Sequence, residues 1–341
     1  MKKILVGMSG GVDSSAAALI LLQKGYDVSG CTLKLCGGEG TADAENVCRK
    51  LGIKHYVFDL AELFAEKVID SFAKVYISGG TPNPCIECNR CIKFGKMLEI
   101  AEEKGFDGIA TGHYANIGFD EKKGRYLLKK GADGKKDQSY FLYNMTQYRL
   151  EHTLFPLWDK SKAEIRALAE ESGLANAQRP DSQDICFIPG GDYADFIRRR
   201  TGLVFPAGDF TDTSGNKIGV HSGLINYTIG QRKGLGGTFG RPVFVCGKNA
   251  EDNTVTLGDS ADLMRDTVEA ENVNFISVPG IDGEMRVKAK IRYNMKEADG
   301  VLTAENGRIK VRFDFPVRAA AKGQSLVCYY EDAVVCGGII V

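Results

Sequence analysis

An α/β protein that turns β-rich toward its C-terminus is predicted by three observations. Over the first third, short apolar runs alternate with helical stretches, most of them closed by glycine. After about residue 203, short β-rich runs with Gly, Thr and Asn take over. Roughly the last 75 residues alternate strongly between apolar and polar positions.

Taken in order, Ile4-Leu5-Val6 is a first strand and residues 14–24 a helix stopped by Gly25. Residues 28–33 form a second strand, 42–51 a helix closed by Gly52, and 55–58 a third strand. A long helix spans 61–77 before Gly79-Gly80; another spans 89–104 before Gly105 and leads to a strand at 108–111. Strands separated by helices of this length imply βαβ units and a parallel sheet. Residues 150–200 read as helical, with Ser161-Lys162-Ala163-Glu164 as a capping box. Residues 285–293 and 309–313 show the period-two pattern of a small antiparallel barrel or sandwich.

Composition narrows the function classes. The 341 residues carry 44 Lys+Arg and 44 Asp+Glu, a formal net charge of zero. A polybasic nucleic-acid coat and an acidic tail protein are excluded, but a local basic face is not. No apolar run approaches the ~20 residues of a membrane span, and the apolar stretch after Met1-Lys2-Lys3 is too short for a signal-peptide core. A cytoplasmic location without membrane association is the expectation, with the ten cysteines reduced. Clustered cysteines there point to metal binding or catalysis.

Ser9-Gly10-Gly11-Val12-Asp13-Ser14-Ser15 lies between the first strand and the first helix. Glycines let backbone N–H groups approach an anion, and the helix N-terminus adds positive potential. The hydroxyls of Ser9, Ser14 and Ser15 can donate to phosphate oxygens, and Asp13 can hold Mg²⁺ or accept a loop hydrogen bond. No Lys follows the glycines, so this is not the Gly-x-x-x-x-Gly-Lys-Ser/Thr loop. Gly234-Leu235-Gly236-Gly237 fails the dinucleotide fingerprint, because Phe239 occupies its third glycine position. The loop resembles the PP-loop of ATP pyrophosphatases, which cleave ATP to AMP and pyrophosphate and activate a substrate oxygen as its adenylate.

Cys85-Ile86-Glu87-Cys88-Asn89-Arg90-Cys91 places three thiols at i, i+3 and i+6 behind Pro82 and Pro84. The prolines should hold this stretch extended and leave the thiols near a helix start around Asn89, where the helix N-terminus lowers thiol pKa. Cys186 follows about a hundred residues later. The spacing admits a catalytic thiol pair, an iron–sulfur site or a structural zinc. Cys31, Cys36, Cys48, Cys246, Cys328 and Cys336 read as buried packing.

The loop, the Thr81-Pro82-Asn83-Pro84-Cys85-Ile86-Glu87-Cys88-Asn89 segment, Ala110-Thr111-Gly112-His113-Tyr114, Lys136-Asp137-Gln138-Ser139-Tyr140-Phe141-Leu142, Asp181-Ser182-Gln183-Asp184-Ile185-Cys186-Phe187-Ile188 and Tyr227-Thr228-Ile229-Gly230-Gln231-Arg232-Lys233-Gly234-Leu235-Gly236 appear in this order. Together they closely resemble the tRNA-specific 2-thiouridylase family, from residue 4 to Val341. The resemblance implies an α/β fold. It has an N-terminal parallel-sheet PP-loop domain of the adenine nucleotide alpha hydrolase type (1–202), a small central domain (203–265) and a C-terminal antiparallel β-barrel (266–341). It implies an enzyme that places sulfur on C2 of the wobble uridine of tRNA, with ATP and Mg²⁺, and with a persulfide donor protein or a sulfide source as partner.

Matched position by position, the resemblance assigns ATP to Gly7, Met8, Ser9, Gly10, Gly11, Val12, Asp13, Ser14, Leu33 and Gly112. Leu33 stands where the family usually has Met. Cys88 matches the first catalytic cysteine and Cys186 the persulfide carrier. Asn83, Pro84, Cys85, His113, Lys136, Asp137, Gln138, Arg292, Tyr293 and Gln324 match tRNA-contacting positions. Many members have Asp, a supposed base or cluster ligand, where Cys85 stands. The change favours a reading in which Cys85, Cys88 and Cys186 hold three irons of a [4Fe-4S] cluster. In the thiol reading Cys88 releases sulfur from a Cys186 persulfide and a disulfide results.

For tRNA, Lys122, Lys123, Arg125, Lys129, Lys130, Lys135 and Lys136 form one basic stretch and Arg198-Arg199-Arg200 another, expected to meet phosphates. The 227–236 segment is read equally as structural turn or as a loop over the site. Two other classes stand beside this reading. An ATP-dependent amidating ligase of the same superfamily gives the cysteines no role. A non-catalytic metal- or RNA-binding scaffold gives the intact loop none.

Overall fold

The structure is a computed structural model that describes residues 1–36, 40–174, 176 and 185–341. Along the chain come β1 (Lys3–Gly7), α1 (Val12–Gln23), β2 (Asp27–Lys34), α2 (Thr41–Leu51) and β3 (His55–Asp59). Next are α3 (Ala61–Phe64), a π-helical stretch Ala65–Ile69 and α4 (Asp70–Ile77), which run on as one helix. A second composite helix joins α5 (Pro84–Glu87), a π-helical stretch Cys88–Lys96 and α6 (Met97–Glu103). Then come β4 (Gly108–Ala110), β5 (Ala115–Asp120), β6 (Arg125–Lys130), α7 (Gln147–Glu151), β7 (Thr153–Leu154), α8 (Lys162–Glu171) and α9 (Tyr193–Thr201). The first long helix lies where apolar patterning puts it, the second begins at Pro84 rather than near Asn89, and both carry a π-helical stretch that patterning does not reveal.

The first sheet is parallel in the order β3-β2-β1-β4-β7. Its centre is apolar on both faces, as a covered parallel sheet requires. Ile4 and Val6 face α1, α2 and α8 through Ala16, Ile20, Val47 and Ile165, while Leu5 faces Met97, Leu98 and Ile109. The chain adds β2 and β3 on one side of β1, then β4 and β7 on the other. The C-terminal ends of β1 and β4 therefore flank a topological switch point, where open α/β sheets bind ligands.

The expectation that Pro82 and Pro84 keep 81–88 extended is corrected. Pro84 is the first residue of α5, where a missing N–H costs nothing, and the Asn83 side chain accepts from Cys85 N at 3.2 Å as N-cap. The Ser161–Glu164 capping box forms as expected.

β8 (Gly208–Thr211), β9 (Lys217–His221), β10 (Phe244–Asn249) and β11 (Thr254–Gly258) build a small sheet over Phe210, Leu224, Val245 and Leu257. Tyr227 and Leu235 are buried in the same core, and Gly230 and Gln231 exchange backbone hydrogen bonds with Val245. The 227–236 segment is thus a structural turn of this unit.

β12 (Met264–Phe275), β13 (Met285–Lys290), β14 (Ala298–Glu305), β15 (Arg308–Arg318), β16 (Ser325–Tyr330) and β17 (Ala333–Ile340) form an antiparallel barrel closed by β12 on β17. The period-two pattern decides what fills it: Ile309, Val311 and Phe313 of β15 point inward. The β5–β6 hairpin pairs with β17 at Lys129–Ala333, so a hairpin from the N-terminal third extends the C-terminal sheet. Among the described residues, no helix is long and apolar enough to cross a membrane.

Candidate nucleotide and thiol site

At the switch point a cavity of about 500 Å³ opens. Its walls include Gly7, Met8, Ser9, Asp13, Ser14, Leu33 and Gly112, seven of the ten positions expected to bind ATP. Gly10, Gly11 and Val12 shape the loop behind them. Gly10 has φ +75°, and a Cβ there would sit 2.7 Å from the Gly40 carbonyl oxygen. At Gly112 a Cβ would lie 2.7 Å from the Asp13 carbonyl carbon, so only glycine lets β4's exit pass the loop.

The loop is tied to itself. Ser14 Oγ and Ser15 Oγ both donate to the Gly11 oxygen at 3.0 Å, and Ser9 N donates to Ser14 Oγ at 3.3 Å. Asn176 Nδ2 donates to the Gly10 oxygen and to Ser15 Oγ, both at 2.9 Å. Asp13 receives the Tyr114 hydroxyl at 2.7 Å and the Lys162 ammonium on both oxygens at 2.8 Å. Lys162 therefore brings a cation to the phosphate loop from α8, over a hundred residues away in sequence. In the sequence it reads only as part of a helix cap, and Asn176 carries no signal there.

The far wall carries sulfur. Cys186 and Cys36 line the cavity together with Lys93, His113 and Gln138. Cys88 is 8% exposed, packed among Leu60, Phe64, Ile92 and Phe187. Cys85 is an exposed residue one turn before it. The thiols of Cys36, Cys85, Cys88 and Cys186 are close enough to feel one another electrostatically. Cys36, read from sequence as packing, belongs to this group; the apolar run of β2 that precedes it hides that it ends at the cavity. The other five cysteines assigned to packing are buried (Cys31, Cys48, Cys328, Cys336) or half-buried (Cys246).

Lowered thiol pKa values are not found. Burial pushes the Cys186 thiol up to about 12, with the neighbouring Cys36 and Cys88 adding to it. Burial also raises Cys85 and Cys88, and the Lys93 ammonium offsets part of the rise. The helix N-terminus is overruled because Cys88 lies past the first turn and in an apolar packing layer. Burial lowers the His113 pKa well below its usual value, so this ring is neutral; its Nδ1 bonds Thr111 Oγ1 at 2.7 Å.

Among the described residues, no three Cys, His, Asp or Glu side chains converge as ligands for a metal ion. Cys85, Cys88 and Cys186 as arranged do not fit a three-thiolate cluster site. Asp13, the carboxylate expected to hold Mg²⁺, has Lys162 on both oxygens.

The residues matched to tRNA contacts divide. Gln138 lines the cavity and accepts from Tyr114 N at 3.0 Å. Asp137 is buried and accepts from Gly131 N, Ser139 N and Ser139 Oγ, so it shapes the turn that presents half-buried Lys136. Pro84 is buried at the start of α5. Gln324 reaches from the barrel to donate to the Thr81 and Pro82 oxygens, anchoring the segment that leads to Cys85. Tyr293 packs on Phe141 with centroids 4.3 Å apart, and Arg292 beside it is half-buried.

Part of each basic stretch has partners within the molecule. Lys129 pairs with Asp332, Lys130 with Glu297, and Arg125 donates to the oxygens of Phe275 and Ile276. Arg198 bonds Asn226, Arg199 pairs with Asp195 and Arg200 with Asp70. Hairpin docking and helix packing thus give these six side chains partners within the chain, several of them on exposed surface. Asp181, Ser182, Gln183 and Asp184 of the second cysteine motif lie outside the described residues.

Residues 2–190 match the family described as tRNA methyl transferase HUP domain, 194–259 that described as tRNA methyl transferase PRC-barrel domain, and 265–340 that described as aminomethyltransferase beta-barrel domain. The chain is 48% identical to a tRNA-specific 2-thiouridylase of Acetivibrio thermocellus, with 99% of each chain covered. It is 48% identical to the protein of that name in Clostridioides difficile, covering 99% of this chain and 98% of that one. The Desulfitobacterium hafniense protein is 46% identical, with 100% and 98% covered. With this identity sustained across all three parts of the fold, the chain belongs to the tRNA-specific 2-thiouridylase family.

Proposed function

We propose that the chain is an ATP-dependent tRNA sulfurtransferase that replaces the C2 oxygen of the wobble uridine with sulfur. The observation that carries this reading is a single cavity whose walls include both the phosphate loop and Cys186. The C2 oxygen of uracil is a poor leaving group. Its attack on the α-phosphorus of ATP expels pyrophosphate and leaves the O2-adenylate. Loop N–H groups and the Lys162 ammonium stabilise the charge that builds on the departing pyrophosphate. Mg²⁺ would supply further charge neutralisation on the phosphates, with Asp13, now paired with Lys162, as the carboxylate that could hold it.

Cys186 receives sulfane sulfur from a persulfide donor, and the terminal sulfur attacks C2 as AMP leaves. Cys88 thiolate then attacks Sγ of Cys186. The sulfur–sulfur bond to the transferred atom breaks, the 2-thiouridine departs, and a Cys88–Cys186 disulfide remains. Two electrons from a dithiol reductant restore both thiols, which suits a reducing cytoplasmic setting. Gln138, Lys136 and Tyr293 support the tRNA at this face. An amidating ligase would use the same loop but leave the thiols idle.

The deciding experiment measures pyrophosphate release with and without tRNA, alongside 2-thiouridine formation from a persulfide donor. Release that depends on tRNA and matches thiolation is expected. Pyrophosphate release driven by ammonia without thiolation would overturn the reading.

A further inference from the structure

The thiol nearest to hand for Cys186 belongs to Cys36. Cys36 Sγ donates to the Cys186 carbonyl oxygen at 3.7 Å, and the two thiols are near enough to shift one another's pKa. Both residues line the cavity, whereas Cys88, buried in an apolar layer, is not among its wall residues. Cys36 is half-buried two residues past the end of β2, a strand whose partners on both sides fix its course. Burial raises its thiol pKa, and the neighbouring Cys186 draws it back.

This arrangement bears on the disulfide that sulfur transfer leaves behind, and so rests on the function proposed above. A Cys88–Cys186 disulfide would have one sulfur inside the apolar layer and the other beside Cys36. Exchange is fastest for a thiol already held against the sulfur it attacks, because the encounter costs no further entropy.

We propose that Cys36 is a third redox residue of the enzyme: its thiolate attacks Sγ of Cys186 in the Cys88–Cys186 disulfide, forming a Cys36–Cys186 disulfide and expelling Cys88 as thiolate. One sulfur–sulfur bond breaks and one forms, so no electrons enter at this step. Cys36 loses its proton to solvent, and Cys88 takes one up. A dithiol reductant from solution then delivers two electrons to the Cys36–Cys186 bridge at the cavity wall. Cys88 is returned to its reduced form inside its packing layer without a reductant having to reach it.

The test uses the full chain in two arms. In the first, the protein is equilibrated with mixed oxidised and reduced dithiothreitol, alkylated, and its bridges mapped by mass spectrometry without reduction. A Cys36–Cys186 bridge is expected to predominate in the native sequence, giving way to Cys88–Cys186 in Cys36→Ser. In the second, thiolation of tRNA is followed in single and multiple turnovers. Cys36→Ser should slow multiple turnovers about tenfold more than the single turnover, with Cys36→Ala behaving alike. Cys88–Cys186 as the sole bridge of the native sequence, or equal slowing of both regimes, overturns the proposal. A native chain that maps Cys36–Cys186 but makes no 2-thiouridine instead overturns the function on which it rests.

Discussion

The two ends of the cavity are built on different plans. The phosphate end is made of one contiguous loop whose hydroxyls and glycines fix it against itself, with Ser14 and Ser15 both on the Gly11 oxygen. The sulfur end is assembled from segments far apart in the chain, with Cys36 and Cys186 in the cavity wall and Cys85 and Cys88 near enough to them to interact electrostatically. The phosphate end is ready for charge before ATP arrives. At the sulfur end the thiol pKa values are raised, so reaction demands deprotonation. Activation of the uridine and delivery of sulfur are therefore separable, and variants should divide accordingly.

The sharpest division is expected from the cysteines. Cys88→Ser and Cys186→Ser should each lower 2-thiouridine formation below detection, a loss of about a thousandfold or more, while tRNA-dependent pyrophosphate release continues. Measured side by side, a parallel fall of both reactions would show that the two ends work as one unit.

The phosphate end breaks by different means. Lys162→Ala removes the ammonium from both oxygens of Asp13. Pyrophosphate release should fall about 100-fold, the cost of losing one preorganised donor at developing charge. Gly112→Ala should match it through lost ATP affinity, since the added Cβ meets Asp13 backbone that cannot swing away. Nucleotide titration that shows native affinity in Gly112→Ala would mean the loop is looser than its hydrogen bonds imply.

These variants also mark what the sequence made legible. The phosphate loop could be read directly because its function is local: glycines, hydroxyls and a helix start lie within seven residues. The parallel sheet and the barrel were legible for the same reason, through period and punctuation. Lys162, Asn176 and Cys36 were not, because the first two reach the phosphate loop and the third the cavity only through strand order and helix packing. The thiol pKa expectation failed on similar grounds. A helix start is visible in sequence, but the apolar layer of Phe64, Ile92 and Phe187 around Cys88 is assembled in space. The partners of the basic stretch were hidden for the same reason, because the docking of the β5–β6 hairpin on β17 brings residues 297 and 332 to Lys130 and Lys129.

A pH series tests the protonated state of the sulfur end. Cys88 and Cys186 have thiol pKa values raised by burial, the latter to about 12. Below a raised pKa the thiolate fraction grows with pH, so a step limited by thiolate attack should quicken up to about tenfold per unit from pH 7 to 9. Pyrophosphate release should be nearly flat over that range. A thiolation rate that levels off near pH 7 would show that binding of tRNA or persulfide formation lowers the thiol pKa values.

The smallest effect is expected at Cys85, and it bears on the sulfur end most directly. If Cys85, Cys88 and Cys186 held an iron–sulfur cluster, Cys85→Ser would remove one of three thiolates, release iron and abolish thiolation. The structure argues otherwise: no metal-ligand set converges among the described residues. Cys85 N is committed to the Asn83 cap, and its side chain sits on an exposed residue of the first turn. Serine preserves that turn and its cap, so Cys85→Ser should retain thiolation within about threefold. Anaerobically purified native protein should bind iron well below one atom per chain. Stoichiometric iron and sulfide together with an inactive Cys85→Ser would reverse this, and would mean that the thiols move together into a ligand set that the present arrangement does not display.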